Sequence, residues 1–420
     1  MTTADQQTTT GHAIMACHEC DLLHQIERIP AGGKALCSRC GSLLQQNRGN
    51  NLNRTLALNL AALFCFILAN TFPFLSMEIA GRSEETIFVS GVLSLWQLDW
   101  GALGMLVLMT SLLFPLLNTL AQLYLLLPLK LGIHPPGMAT VYRIIRAIAP
   151  WCMLDVLLLS VLIAIAKLLD LAHIIPGISF YAFIALVLLT AAAWNSFDSR
   201  LLWPATSASS LPTATGPTAI ARNWIHCHTC SLLTPDSNDI DHPRCPRCHS
   251  PLHQRKPDHM QRTWALIITA ALLLIPANLY PIMTVIRFGK GESSTITGGI
   301  MHLIESGMWP LGMIVLVASI IIPVAKLLIL AFLQLSVQKK SRWRLRDRAL
   351  LYRYTELVGS WSMVDIFLIA LLAGLVKLDA LSTITPNAGA LFFAGVVVTT
   401  IFAARSFDPR LIWDCGGQQH

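Results

Sequence analysis

Four Cys-x-x-Cys pairs punctuate the chain, Cys17/Cys20 and Cys37/Cys40, then Cys227/Cys230 and Cys245/Cys248, and they take eight of its eleven cysteines. A turn that presents two thiolates, set against a second such turn farther along, supplies four sulfurs at the spacing of a tetrahedral metal site. Zinc is the expected ion in both sites. A rubredoxin-like iron site, disulfides or a ribbon without metal are the alternatives, and a reducing cytoplasm suits disulfides least. Four thiolates leave no open position for a substrate, so catalysis is not expected there. Cys37-Ser38-Arg39-Cys40 and Cys245-Pro246-Arg247-Cys248 look like ribbon knuckles, and modules this short bury too little to fold on their cores alone. His18, His226, His228 and His249 flank the ligands and read as bystanders.

A second chemistry lies within apolar sequence. Trp361-Ser362-Met363-Val364-Asp365 sits about eleven residues into an apolar run, which at about 1.5 Å per residue puts a carboxylate near the middle of a spanning helix. The phrase has an earlier copy, Trp151-Cys152-Met153-Leu154-Asp155. An intramembrane acid is costly and needs a partner. Lys326, on the preceding span, falls at the same depth as Asp365, so the two are expected to pair, either for transport or simply to fix packing. Ser319 and Ser362 share helical faces with these charges, and Thr399 and Thr400 on the last span extend the group. In the first half Asn118 replaces the lysine, which leaves Asp155 neutral or bonded to Asn118 and points to the second half as the functional copy. Asn278 and Pro281 repeat Asn70 and Pro73 near the end of a span. A proline inside a helix frees a carbonyl that the asparagine can satisfy, giving a kink or, alternatively, a gate or substrate contact.

The elements that must carry these residues are membrane helices. The chain is 54% hydrophobic and 13% charged over 420 residues, more apolar than a soluble domain of ordinary composition. The fold expected is an all-α polytopic membrane protein of two tandem repeats, each a four-cysteine zinc ribbon followed by four spans, eight in total. The expected boundaries are ribbon 1 at 13–48, a transmembrane module at 54–203, a flexible linker at 204–222, ribbon 2 at 223–256 and a second transmembrane module at 262–414. The first span is expected over about Thr55 to Met77, and the third spans over Ile144 to Leu168 and Tyr354 to Leu378. Glu78 to Trp100 and Ile286 to Trp309 read as short amphipathic pieces outside the membrane, each with a Thr (Thr86, Thr295) and a later Gly (Gly91, Gly299). The endings Ser196 to Trp203 and Ser406 to Trp413 read as interfacial anchors. The start of the chain has no secretory pattern, and basic residues cluster at Lys339 to Arg348. An even number of spans then keeps both termini and both ribbons cytoplasmic. A net charge of +7, scattered along the chain, is no footprint for nucleic acid.

The ribbons, the helix with Ala277, Asn278 and Pro281, the Trp361 to Asp365 phrase and the ending Phe407, Asp408, Arg410, Leu411, Trp413 together resemble the paraquat-inducible protein A family over nearly the whole chain. The resemblance implies a Gram-negative inner-membrane protein that exchanges phospholipid with a periplasmic MCE-domain tunnel. With no Walker A pattern present, any driving force comes from elsewhere, and protonation of Lys326 and Asp365 is one source. The alternative of a different class is a membrane-anchored metal or redox sensor, in which thiolates respond to oxidants; bound zinc would protect them, and eight spans exceed what an anchor requires. A small-solute transporter is disfavoured because paired broken helices are not evident. An enzyme is disfavoured because no nucleophile with a base and no open metal site is found.

Overall fold

The computed structural model describes residues 13–26, 29–30, 32–47, 51–79, 82–86, 95–96, 99–168, 173–203, 217–236, 243–287, 290–375, 377–378 and 382–414. The start of the chain at 1–12, Gly91 and the linker residues 204–216 lie outside them.

The first half opens with two hairpins, β1 (Ala13–Ala16) with β2 (Leu23–Ile26) and β3 (Lys34–Leu36) with β4 (Leu43–Gln46). Then come α1 (Asn51–Thr71), β5 (Leu75–Ile79), β6 (Arg82–Thr86) and α2 (Gly101–Lys130). Two helices separated by a short break, α3 (Met138–Ile148) and α4 (Leu154–Leu168), lead to β7 (His173–Pro176) and α5 (Ile178–Ser196). The second half repeats the order with β8 (Trp224–His226), β9 (Leu233–Pro235), α6 (His259–Leu279), β10 (Met283–Arg287), β11 (Lys290–Ser294), α7 (Ile296–Glu305) and α8 (Trp309–Gln338). It closes with α9 (Leu345–Val358), α10 (Val364–Leu375), β12 (Lys377–Leu378), β13 (Ser382–Pro386), α11 (Ala388–Ser406) and α12 (Leu411–Asp414). Eight segments of the described residues are long and apolar enough to cross a membrane: α1, α2, α3–α4 and α5, then α6, α8, α9–α10 and α11.

Four expectations about these elements need correction. The first span ends at Thr71, so Pro73 and Pro281 stand beyond α1 and α6 and stop helices where a kink was expected. The segments expected to be amphipathic begin as hairpins. β5 pairs with β6 and β7 in one sheet, and β10 with β11 and β13 in the other. Each sheet thereby ties the end of its half's first span to the start of its last. After the second hairpin a helix follows, capped by Thr295, whose Oγ1 accepts from the Gly298 N–H at 3.2 Å.

The third spans are discontinuous. A 3-10 turn at Ala149–Trp151 interrupts the first, and another at Gly359–Met363 interrupts the second, so both Trp-to-Asp phrases sit on a break. The second spans carry a widened π turn, Met109–Leu113 and Val317–Ile321. Pro115 and Pro323 explain it, because neither has an N–H to give the carbonyl four residues back.

Finally, the endings expected as lipid anchors are buried against protein. Phe407, Ile412 and Trp413 pack with Cys17, Cys20, Cys37 and Cys40 on a surface that includes Leu333 of α8 and Tyr352 of α9. Leu202 packs with Cys227, Cys230, Cys245 and Cys248 beside Leu125 of α2 and Tyr142 of α3. Each four-cysteine module is therefore docked on the spans of the opposite half. The linker end joins this arrangement, since Thr218 bridges to Leu22 and the Ala219 N–H donates to the Asp21 carbonyl at 3.0 Å.

Candidate functional site

All four knuckles share one local solution. The residue after the second cysteine has positive φ (Asp21 62°, Gly41 72°, Ser231 58°, His249 56°), and its N–H donates to the carbonyl of the first cysteine at 2.8–2.9 Å. Only Gly41 adopts that geometry without steric cost; the other three are held by the closure of the turn. The result is two buried groups of four sulfurs, each group within 4.8 Å. Close pairs stand at 3.5 Å (Cys17–Cys40), 3.4 Å (Cys20–Cys37) and 3.5 Å (Cys227–Cys248, Cys230–Cys245). A tetrahedral ion with sulfur ligands at about 2.3 Å sets its sulfurs about 3.8 Å apart, so both clusters fit a metal after a small expansion.

The histidines named above stay outside these sets. Burial, helped by the charge of neighbouring His228, pushes His226 down to about 3, and burial with the nearby Arg410 guanidinium pushes His228 down to about 4. Second-sphere groups that escaped the sequence reading are Ser42, 3.0 Å from Cys17 Sγ and 3.2 Å from Cys40 Sγ, and Ser250, 2.9 Å from Cys248 Sγ. His24 Nε2 stands 3.2 Å from Cys37 Sγ. The repeated Cys-x-x-Cys-x-Ser spacing was the available signal for the serines.

The docking contacts are reciprocal. Arg39 of the first module lies over the Trp413 ring at 4.6 Å, and Arg247 of the second over Trp203 at 5.8 Å. Glu19 accepts both guanidinium arms of Arg353 on α9; burial works against its charge, but hydrogen bonds from His18 and Arg353 hold it below the ordinary carboxylate range. Arg410, almost fully buried, joins everything: Asp408 at 2.8 Å, His228 Nε2 at 2.9 Å and Asp21 at 4.0 Å. Burial would raise Asp408, and the Arg410 contacts outweigh it, leaving the carboxyl well below its usual range.

Within the spans, the π turn carrying Ser319 packs against the break carrying Ser362. Lys326 is buried, and its Nζ donates to Thr400 Oγ1 at 3.3 Å. A Cβ on Gly359 would stand 2.8 Å from that ammonium, so the break has a glycine because the lysine lies against its backbone. Lys326 and Asp365 do not come within ion-pair distance among the described residues, contrary to the expectation from depth. The break intervenes: Asp365 is the second residue of α10, directly after the 3-10 turn, and not midway along a continuous helix. Ser319 Oγ and Ser362 Oγ are buried and have no hydrogen-bond partner among the described residues. Asp365 lines an apolar cleft walled by Ile282, Ile300, Val315 and Leu372 and by Ile163 from the first half. Asn278 is not drawn into this group; it donates to its own helix at Leu274 O, 2.9 Å away. The Pro281 carbonyl accepts from Gly389 N at 3.1 Å, and the two residues after Pro281 line the cleft.

The chain is a multi-pass membrane protein with two repeated halves, two four-cysteine clusters able to bind metal, and an apolar cleft lined by one acid, Asp365. It belongs to the family described as Paraquat-inducible protein A, whose pattern it matches twice, over residues 52–207 and 260–415. Among relatives, it is 33% identical over 401 residues to the intermembrane transport protein PqiA of Escherichia coli (strain K12), covering 95% of each chain. It is 31% identical over 398 residues to the lipophilic envelope-spanning tunnel protein A of the same organism, covering 95% of this chain and 90% of the relative. A probable intermembrane transport protein of Haemophilus influenzae is 27% identical over 415 residues, with 97% of each chain covered. No solved structure matches the chain.

Proposed function

We propose that this protein is the inner-membrane component of an intermembrane lipid transport system, moving phospholipid between the membrane and a periplasmic MCE-domain tunnel. The observation that carries the reading is the apolar cleft that Asp365 lines. A cleft of this kind accepts acyl chains and offers one carboxylate in its wall. Zinc in each four-cysteine cluster holds the modules together, and both modules and both termini lie on the cytoplasmic side. Lys326 and Asp365, each stabilised separately, can change protonation in turn and favour different arrangements of the broken helix. Ser319, Ser362 and Thr400 supply the hydroxyls that such a rearrangement would engage.

The broken third spans remove one objection to a small-solute transporter, but the cleft walls are apolar and offer a hydrophilic solute few partners. Sensing of oxidants is disfavoured by burial of all eight clustered sulfurs. A photoreactive residue at Leu303, which lines the cleft, tests the reading by mass spectrometry of adducts formed in cells. Phospholipid adducts are expected at Leu303 and not at the exposed Leu36 of the first four-cysteine module, outside the spans. A folded, metal-loaded protein that captures no lipid at Leu303 would overturn the proposal.

A further inference from the structure

We infer that a second cavity, between the halves and next to the second four-cysteine module, binds the phosphate of a phospholipid headgroup. The crevice has a volume of about 540 Å3 and is lined by Arg143 and Arg146 of α3, Trp194 of α5, Glu356 of α9 and Arg405 of α11. Three guanidinium groups therefore face one carboxylate. None of the three arginines forms an ion pair among the described residues. Arg143 gives one arm to Thr140 Oγ1 at 3.1 Å and makes a marginal contact with His249 O at 3.5 Å, while its Nε is buried with no hydrogen-bond partner. A buried, unmatched guanidinium donor is costly, and a phosphate oxygen is the acceptor whose geometry suits the fork.

The source of the phosphate follows from what lies beneath the arginines. Arg405 is in the last turn of α11, and Phe402, one turn earlier, is 45% exposed. The Phe402 ring packs at 5.4 Å from Trp151 across the halves, and Pro150 beside Trp151 lines the crevice. Cationic donors at the module end of the spans, with the Phe402–Trp151 pair one turn deeper, match a headgroup with acyl chains below it. A soluble anion would have no use for that pair. The crevice is lined by Ala149 and Pro150 of the first break, whereas the cleft is lined by Asp365, two residues past the second. The two cavities are thus stations for lipid at opposite ends of the spans. This inference rests on the transport reading for the class of its ligand and concerns a different cavity.

A photoreactive residue at Ala147, which is exposed in the crevice wall, tests it in the full chain in native membranes. A phospholipid adduct is expected at Ala147. It should fall about tenfold in Arg146→Gln, the loss that one charge-assisted hydrogen bond of about 1.4 kcal/mol predicts, and further when Arg143→Gln and Arg405→Gln are added. Metal content serves as the folding control, and the exposed Arg146 keeps the test usable should the triple variant fail to fold. Lipid captured at Leu303 but not at Ala147 would overturn this inference and leave the transport reading standing; capture at neither site would remove both. An adduct insensitive to all three substitutions would also overturn it. So would displacement of the adduct by excess inorganic phosphate in nanodiscs, since the ligand would then come from solution.

Discussion

In the first half, the widened turn of α2 satisfies its own hydroxyls: Thr110 donates to Leu106 O at 2.8 Å and Ser111 to Val107 O at 2.5 Å. In the second half the matching residues are Ala318 and Ser319, and the Ser319 hydroxyl has no partner among the described residues. Asn118 stands in the sequence where Lys326 meets the second break, and Ala149 stands where Gly359 makes room for the lysine. Asp155 is exposed and makes no bond to Asn118, whose Oδ1 is buried without a partner among the described residues, whereas Asp365 is buried at the cleft. One backbone plan thus serves two ends. The first half closes the hydroxyls of its widened turn on itself and lends Ser160, whose hydroxyl bonds the Val364 carbonyl at 2.9 Å, to brace the other break. In the second half Ser319 and Ser362 keep buried hydroxyls with no partner among the described residues, the condition in which a polar group can exchange partners.

The largest effect is expected from the metal clusters, because apparent zinc-binding free energies of about 10–16 kcal/mol act as folding energy in small modules. Cys17→Ser should remove one of two metal ions per chain, measured by elemental analysis, and increase hydrogen exchange in the second half around Tyr352 and Phe407. Cys245→Ser should do the same around Tyr142 and Leu202. Exchange increases confined to the half that carries the mutated module would break the account of crossed docking.

Next in size is the Asp408–Arg410 pair. Asp408→Asn leaves a buried guanidinium with weaker partners, and a loss of about 3 kcal/mol is expected in thermal unfolding. The carboxyl is depressed in the folded protein, so its contribution is present above the unfolded value of about 4 and disappears as pH falls through the lower folded value. Variant and parent should therefore converge in stability in strong acid. A constant gap down to that pH would show that the charge is not the source.

The smallest effect sharpens the contrast between the breaks. Gly359→Ala should cost about 1–3 kcal/mol by forcing the Lys326 ammonium aside. Ala149→Gly should change little beyond the local backbone term of up to about 1 kcal/mol. Adding Lys326→Asn to Gly359→Ala recreates the first-half pairing and should recover most of the stability without restoring transport. Recovery absent from that double variant would separate the glycine from the lysine.

The sequence made the clusters legible, because thiolate spacing is local, and it made the spans legible, because apolar length is summed over many residues. It also contained a sign of the first break: Pro150 disfavours helix at Ala149. The second break was hidden, since Gly359-Ser360-Trp361-Ser362 lies in a run apolar enough to read as continuous helix. Once the helix is broken, depth alone no longer predicts which side chains meet, and that is why Lys326 finds Thr400 instead of Asp365. The hairpins were missed because Thr284, Val285 and Ile286 are too short a β-branched run to stand out beside a membrane span. Crossed docking was marked by Arg39 and Arg247 in the knuckles and Trp203 and Trp413 in the endings, but repeated motifs do not say which copy touches which.

That crossing also sets a timetable for biogenesis. The first module leaves the ribosome ahead of the eight spans described above, yet the surface that covers it includes Phe407, Ile412 and Trp413, made after all of them. The earliest metal centre must therefore wait, loaded but uncovered, through insertion of the whole chain, while the second module finds its seat on the first half already built. Nascent chains truncated before Phe407 should for that reason hold their first metal loosely and their second firmly.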